Sequence, residues 1–293
     1  MSDPGAEFRL DTRRVRRAFD RAAAGYETGA VLQRTAESHA LARLDLVRVA
    51  PRTIVDLGCG PGVAGRALLK RYRGAQVIGI DFAPAMLRAA RRGRRWFSAQ
   101  RLVCADAQAL PLPPDSADLV FSNLTLQWCA DPAAVFGEVW RVLRPGGLFL
   151  FTSLGPDTLR EMRAAWRQVD GATHVHAFID MHDLGDALGR SGFENPVLDV
   201  ERFCLTYPDV RALARDLKSI GAGNAAASRP RGLCGRAGWS ALAAAYEGFR
   251  SDGRLPATFE VVHAHAWKPL HTRRLDADGA QPLRFHPRRV RPS

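Results

Sequence analysis

A doubly wound α/β fold, with helices on both faces of a largely parallel sheet of about seven strands, is what this 293-residue chain predicts. Short apolar runs alternate with helical periods from residue 54 to residue 152, the pattern of successive βαβ units. One such run, IVDLGCGPG at 54–62, ends in an aspartate followed by three alternating glycines. The next run closes on a second aspartate, Asp81, in GIDFAP.

Residues 1–10 carry no periodic pattern and read as an unstructured N-terminus. Val15, Phe19, Ala22 and Tyr26 fall on one helical stripe and a second helix spans 28–49, so residues 11–50 form a helical lid ahead of the sheet. The first buried strand is 54–57. Gly58, Gly60 and Gly62 then let the backbone turn and approach a ligand without Cβ clashes, and the helix at 63–72 points its N-terminus at the same spot. Strands follow at 76–80, 101–104 and 117–123. The last of these ends on Asn123, in the crevice where open α/β sheets bind ligands. A helix end, the turn Pro145-Gly146-Gly147 and a fifth strand occupy 142–152. Then come a helix at 157–169, a histidine-containing link at 171–178, a helix at 181–191 and a strand at 197–205 entered through Pro196. The final strand, 258–267, is stopped by Pro269. Between the last two strands, 207–255 is too long for a hairpin loop and has helical pattern, so it reads as a second lid element. One domain, 51–269, thus contains the insertion 207–255, and 270–293 reads as a basic disordered tail.

The formal charge is +12, nearly all of it arginine, and Lys70, Lys218 and Lys268 are the lysines. That sign favours an acidic partner. No basic stretch is interleaved with aromatics, so nucleic acid is not the expected one; the run at 88–95 reads as a solvated basic face. No apolar run reaches the length of a membrane span, and the charged start MSDPGAEFRLDTRR lacks the apolar core of a signal peptide. Cys59, Cys104, Cys129, Cys204 and Cys234 have neither paired nor metal-like spacing. The first two and Cys204 are expected as small core residues of a cytoplasmic protein, and no metal site is expected.

A dinucleotide would lay its pyrophosphate on such a glycine turn, but Asp56 stands where a phosphate would be repelled. Asp-X-Gly-X-Gly-X-Gly instead resembles motif I of the class I S-adenosylmethionine-dependent methyltransferases, whose ligand carries an amine and a sulfonium and no phosphate. The resemblance implies that Asp56, Gly58, Gly60 and Gly62 line the methionine and sulfur side of that cofactor. It implies that Asp81 binds the ribose hydroxyls, with Met86 packing at the adenine. Asp106 and Ala107, in CADA, would flank the adenine, and Asn123 would close the crevice floor. Arg21, Tyr26 and Gln33 are the lid contacts it suggests; Tyr26 reads equally as a core aromatic and Arg21 equally as surface.

Outside the core the chain is similar to the malonyl-acyl-carrier-protein O-methyltransferases of biotin synthesis. The segments are VRRAFDRAAAGYETGAVLQ (15–33), FSNLTLQWCADP (121–132), GPDTLREMRAAWRQVD (155–170), DLKSIGAGN (216–224) and LPATFEVVHAHAWKP (255–269). The reaction implied is methyl transfer from S-adenosylmethionine to the free carboxylate of a malonyl thioester on acyl-carrier protein. A carboxylate is already an ionised nucleophile at neutral pH, so no general base is required and positioning suffices. Acidic carrier protein also suits a basic chain. Once water is excluded, the substrate anion needs a cation or several donors. Lys218, inside the lid segment, is the first candidate, though it reads equally as a solvated lysine; Arg163, His174, His176 and Arg229 follow. GPDTLREMR, DLGDALGRSGF and LTYPDVRALARDL also resemble a mitochondrial complex I assembly factor of the same fold that hydroxylates arginine. A small-molecule methyltransferase would share the core but not the lids.

Overall fold

The strands are β1 (Thr53–Leu57), β2 (Gln76–Asp81), β3 (Gln100–Cys104), β4 (Ala117–Ser122), β5 (Leu143–Leu154), β6 (Glu194–Tyr207) and β7 (Leu255–Trp267). They form one seven-stranded sheet in the order β3-β2-β1-β4-β5-β7-β6 in the computed structural model, which describes residues 10–93, 99–229, 232 and 234–270. From β3 to β5 all pairings are parallel, and β7 runs antiparallel between β5 and β6. The strand order reverses between β1 and β4, which opens a crevice at their carboxyl ends, the place where open α/β sheets bind ligands.

Ten α-helices are described: α1 (Thr12–Ala22), α2 (Tyr26–Gly29), α3 (Val31–Arg43), α4 (Val63–Arg71), α5 (Pro84–Arg92), α6 (Pro132–Val142), α7 (Arg160–Arg167), α8 (Met181–Arg190), α9 (Val210–Ser219) and α10 (Arg236–Glu247). Alternation along β5 separates two cores. Phe149 and Phe151 pack with Phe136 of α6 and Leu188 of α8. Leu148 and Leu150 face the other way, onto Ala40 of α3 and Leu68 of α4. A third core joins Leu32 of α3 to α7, α9 and α10 under the insertion.

The predicted strand–helix order matches these elements, with local differences. The helix expected over 28–49 is two helices, broken at Ala30 and ending at Arg43. A Cβ on Gly29 would sit 2.7 Å from the Ser219 hydroxyl oxygen, so the break lies where the lid meets α9 at close range. The turn at Pro145-Gly146-Gly147 is absorbed into β5, whose pairing with β4 slips between Ala117 and Leu119. β6 begins at Glu194 and carries Pro196 at a second register slip, which an edge strand tolerates. Cys104 and Cys204 are exposed, against expectation, because β3 and β6 are the two edges of the sheet; Cys59 is buried as expected.

The expected disordered tail and most of the N-terminus lie outside the described residues, as does the end of the basic run at 88–95. Leu10, however, pairs in a bridge with Ala226. Among the described residues, no helix is long and apolar enough to cross a membrane and no group of His, Cys, Asp or Glu could hold a metal ion.

Candidate active site

The glycine turn knits β1 to β2. The N–H groups of Gly58 and Cys59 both donate to the Ile80 carbonyl, at 2.8 and 3.0 Å. Gly58 has φ +72°, and a Cβ there would lie 2.0 Å from the Thr125 hydroxyl oxygen, so both the conformation and the space require glycine. Asp81 closes β2 with its carboxylate facing the turn: one oxygen accepts from the Gly60 N–H at 2.9 Å, the other from Ala83 at 2.8 Å. The cleft beside it is walled by Gly58, Phe82, Ala107, Gln108 and Trp128.

Three carboxyls converge here. Asp56 is 2 % exposed, and its Oδ2 has no hydrogen-bond partner. Burial, then the charge of Glu37 and that of Asp81, push it up to about 8, against the Gly65 N–H and Arg66. Burial lifts Glu37, on α3, to about 7, with Arg66 opposing. Burial lifts Asp81 to about 6 despite its two backbone donors. The Tyr26 phenol is raised first by burial and then by Asp81 and Glu37, and its ring packs against the small core of Ala22, Ala23, Ala83 and Met86. Gln33 contributes a second buried, unpartnered oxygen, Oε1. Such a site is short of positive charge and N–H donors. The ammonium and sulfonium of S-adenosylmethionine would suit that deficit; Asp56, Glu37 and Gln33 could accept from its amine and Asp81 from its ribose hydroxyls.

The remaining cofactor candidates are placed less uniformly. Ala107 lines the cleft wall, while Asp106 is exposed and accepts from the Gln108 N–H and amide at 2.9 and 3.2 Å. Asn123 acts as a latch: its amide donates to the Gln33 carbonyl at 3.0 Å and its oxygen accepts from the Thr152 hydroxyl at 2.7 Å, bolting α3 to the sheet. Met86 is 1 % exposed, packed against Ala22, Ala23 and Ala83, and does not line the cleft. Phe82, four residues earlier, takes the wall position. Arg21 is not at the cleft either; it lies on an outer groove.

An aromatic canopy covers the cleft from α1. The Phe19 ring meets Trp128 edge-on at 5.5 Å, Phe82 at 6.2 Å and Tyr26 at 6.4 Å. Trp128 borders three spaces, the cleft, an inner cavity and the groove. The cavity, about 210 Å³, lies among Met162, Trp166, Phe178, Trp239, Leu242 and Phe259. The groove, about 670 Å³, is lined by Arg14, Arg21, Arg215 and Lys218, with no acidic residue among its lining side chains.

Among the substrate candidates, Lys218 is exposed where cavity meets groove. His174 lines the cavity but stacks flat on Trp166 at 3.5 Å and bonds Asp170 at 2.9 Å. His176 lines the cavity, 4 % exposed, with both ring nitrogens unpartnered. Arg163 donates to the Pro156 carbonyl. Arg229 pairs with Asp11 at 3.6 Å and does not line the cavity. Glu37, Phe19 and Trp128 were not among the site residues read from sequence. Glu37 had a signal: it stands one turn after Gln33, on the shoulder of the buried face Leu32, Ala36 and Ala40.

Residues 55–151 match the family described as methyltransferase domain. A malonyl-[acyl-carrier protein] O-methyltransferase of Laribacter hongkongensis is 54% identical over 96% of this chain and 97% of its own length. Proteins of the same name from Methylovorus sp. and Coxiella burnetii are 52% and 40% identical; they cover 96% and 90% of this chain and 97% and 90% of their own lengths. Two solved structures share the fold: the YcgJ protein of Bacillus subtilis (TM-score 0.55, 16% identity, 79% of this chain and 99% of that one) and the [4+2]-cyclase SpnF (TM-score 0.50, 21% identity, 80% of each). A cyclase on the same sheet shows that fold alone does not set the reaction. Identity over nearly the whole chain, both lids included, does: the chain belongs to the malonyl-[acyl-carrier protein] O-methyltransferase family.

Proposed function

We propose that this protein methylates the free carboxylate of a malonyl group held as a thioester on acyl-carrier protein, an early step in making the pimeloyl part of biotin. The observation that carries it is the arrangement around Trp128, a cationic-ligand cleft on one side, an apolar cavity on the other, and a basic groove leading in from the surface.

S-adenosylmethionine supplies, when bound, a methyl group on a sulfonium. Asp56, Glu37 and Gln33 would hold its amino end and Asp81 its ribose. A carboxylate held in the cavity would take the methyl, a C–O bond replacing the S–C bond, whose electron pair stays on sulfur. No proton moves, which is why the chain needs no general base there. An anion and a cation become a neutral ester and a neutral thioether, so charge disappears in the transition state. An apolar cavity of Trp166, Phe178, Trp239 and Phe259 favours that change.

The groove is the route for the carrier. Arg14, Arg21, Arg215 and Lys218 attract an acidic protein and the phosphodiester of its prosthetic arm, and the arm passes Lys218 into the cavity. Such a reaction belongs in the cytoplasm. Malonyl-acyl-carrier protein incubated with the enzyme and S-adenosylmethionine should gain one methyl by mass spectrometry, with one S-adenosylhomocysteine released; carrier left unmodified refutes the reading.

A further inference from the structure

The malonyl carboxylate enters a cavity in which several polar side chains are already engaged. The Thr158 hydroxyl donates to the Glu260 carbonyl at 3.2 Å and accepts from the Glu260 N–H at 3.1 Å. The Asn224 amide donates to the Thr173 carbonyl at 2.7 Å, and its oxygen accepts from the Ala226 N–H at 3.0 Å. His174 is held by Asp170 and by its stack on Trp166. Lys218 is exposed at the mouth. His176 stands on that wall with neither ring nitrogen bonded, beside the indole donors of Trp128, Trp166 and Trp239.

Its position is also the right one. The His176 ring lies 5.1 Å from the Trp128 ring and 4.6 Å from Phe178. Trp128 is the wall between cavity and cofactor cleft, so His176 sits where the methyl must cross.

We propose that His176 is the donor that holds the reacting carboxylate, through one ring N–H, and that Lys218 serves the mouth instead. The proposal rests on the carboxyl-methylating reading above. A neutral donor suits this reaction better than an ammonium. Because the carboxylate loses its charge on the way to the ester, a cation beside it would stabilise the ground state more than the transition state. Burial, with Arg163 nearby, pushes the His176 pKa down to about 4, so the ring is neutral at physiological pH. The charged or titratable groups around it are Arg163 from α7, His174 on its own link, and Lys218 from α9.

His176→Phe keeps a ring against Trp128 and Phe178 and removes both nitrogens; His176→Gln keeps a donor. The measurements are kcat/KM on malonyl-acyl-carrier protein, cofactor affinity by calorimetry, and the thermal midpoint. His176→Phe should lose about 10- to 150-fold in kcat/KM, as expected when a hydrogen bond to a charged group is lost, with cofactor affinity within threefold of wild type; His176→Gln should recover at least a third of the logarithmic loss. In parallel, the imidazole 15N signals of His176 in wild-type enzyme with S-adenosylhomocysteine should move when malonyl-pantetheine is added. An active wild type with His176→Phe within threefold of it overturns the assignment. So does a 15N signal that malonyl-pantetheine leaves in place, which decides the matter even if the phenylalanine variant is unstable. A wild type inert towards every malonyl thioester overturns the carboxyl-methylating reading itself.

Discussion

Cofactor affinity should fall steeply below neutral pH, because the site must ionise before it can receive a cation. Asp56 is fully enclosed and pushed up to about 8 in the ligand-free protein. If only the anion accepts the ammonium of S-adenosylmethionine, the competent fraction is roughly a quarter at about pH 7.5 and roughly 1 % at about pH 6. Affinity therefore drops about 25-fold over that interval, ~2 kcal/mol. Glu37, pushed up to about 7, steepens the fall if it ionises too. Above about pH 8 the ligand's own amino group begins to lose its proton, so the profile turns over. The sign is fixed: a carboxyl raised in the free protein and lowered in the complex releases a proton on binding. The same shift makes Asp56 cost the ligand-free fold stability as pH rises from the usual carboxylate range to about 8, so added cofactor should raise the melting temperature most near the upper end. Calorimetry in buffers of different ionisation heat measures affinity and proton release together. An affinity flat within threefold between about pH 6 and about pH 7.5, with no proton released, refutes the carboxyl-cluster account. Asp56→Asn should bind more weakly and lose most of the pH dependence.

Asp81→Ala removes the acceptor for the ribose hydroxyls and strands the Gly60 and Ala83 N–H groups; cofactor affinity should fall by about 1.5–3 kcal/mol, and unchanged binding in calorimetry would remove Asp81 from the site. Gly58→Ala places a methyl 2.0 Å from the Thr125 hydroxyl oxygen in a left-handed turn; strain of at least about 1–2 kcal/mol is expected, read as a lower thermal midpoint together with weakened cofactor binding. Reversing charge at the groove, as Arg21→Glu with Arg215→Glu, should cut kcat/KM for malonyl-acyl-carrier protein at least tenfold at low salt and leave malonyl-pantetheine turnover within threefold. Equal losses on both substrates would place the damage inside the site rather than at the docking face.

The glycine turn, the aspartates closing the first two strands and the succession of strands along the chain were legible because each is a local pattern with one physical reading: apolar runs for buried parallel strands, glycine where the backbone must turn left-handed, an acid at the end of a strand. The cavity was not. Met162, Trp166, Phe178, Trp239 and Phe259 come from four separate segments, and beyond the helical pair Met162 and Trp166 they share no spacing, so only folding brings them to one wall. Periodicity also carried the first stripe through Tyr26 as one helix, whereas α1 stops at Ala22 and Tyr26 opens α2 beyond Gly25. The burial of Met86 was not legible from its offset from the motif: its side chain packs in the core beneath α1, while Phe82 lines the cleft. Lys218 was singled out for rarity and for its place in the lid segment, and His176 set behind it for standing alone on an irregular link; the burial of His176 was not legible from either signal.

The fastening of the first helix to the insertion sets an order of events during synthesis. The Asp11 N–H donates to the Ala225 carbonyl at 2.9 Å, Leu10 pairs with Ala226, and the Arg14 guanidinium reaches the Asn224 carbonyl at 3.1 Å across 210 positions of chain. On a ribosome adding about 5–20 residues each second, the helix bearing Val15 and Phe19 emerges roughly 10–40 s before those partners exist. The sheet strands β1 to β5 can pair in that interval, since none of them needs the insertion. The nascent protein therefore passes through a stage in which its first helix rests on α5 and Trp128 through Phe19, Asp20 and Ala22, while its fastening to the insertion is still to come.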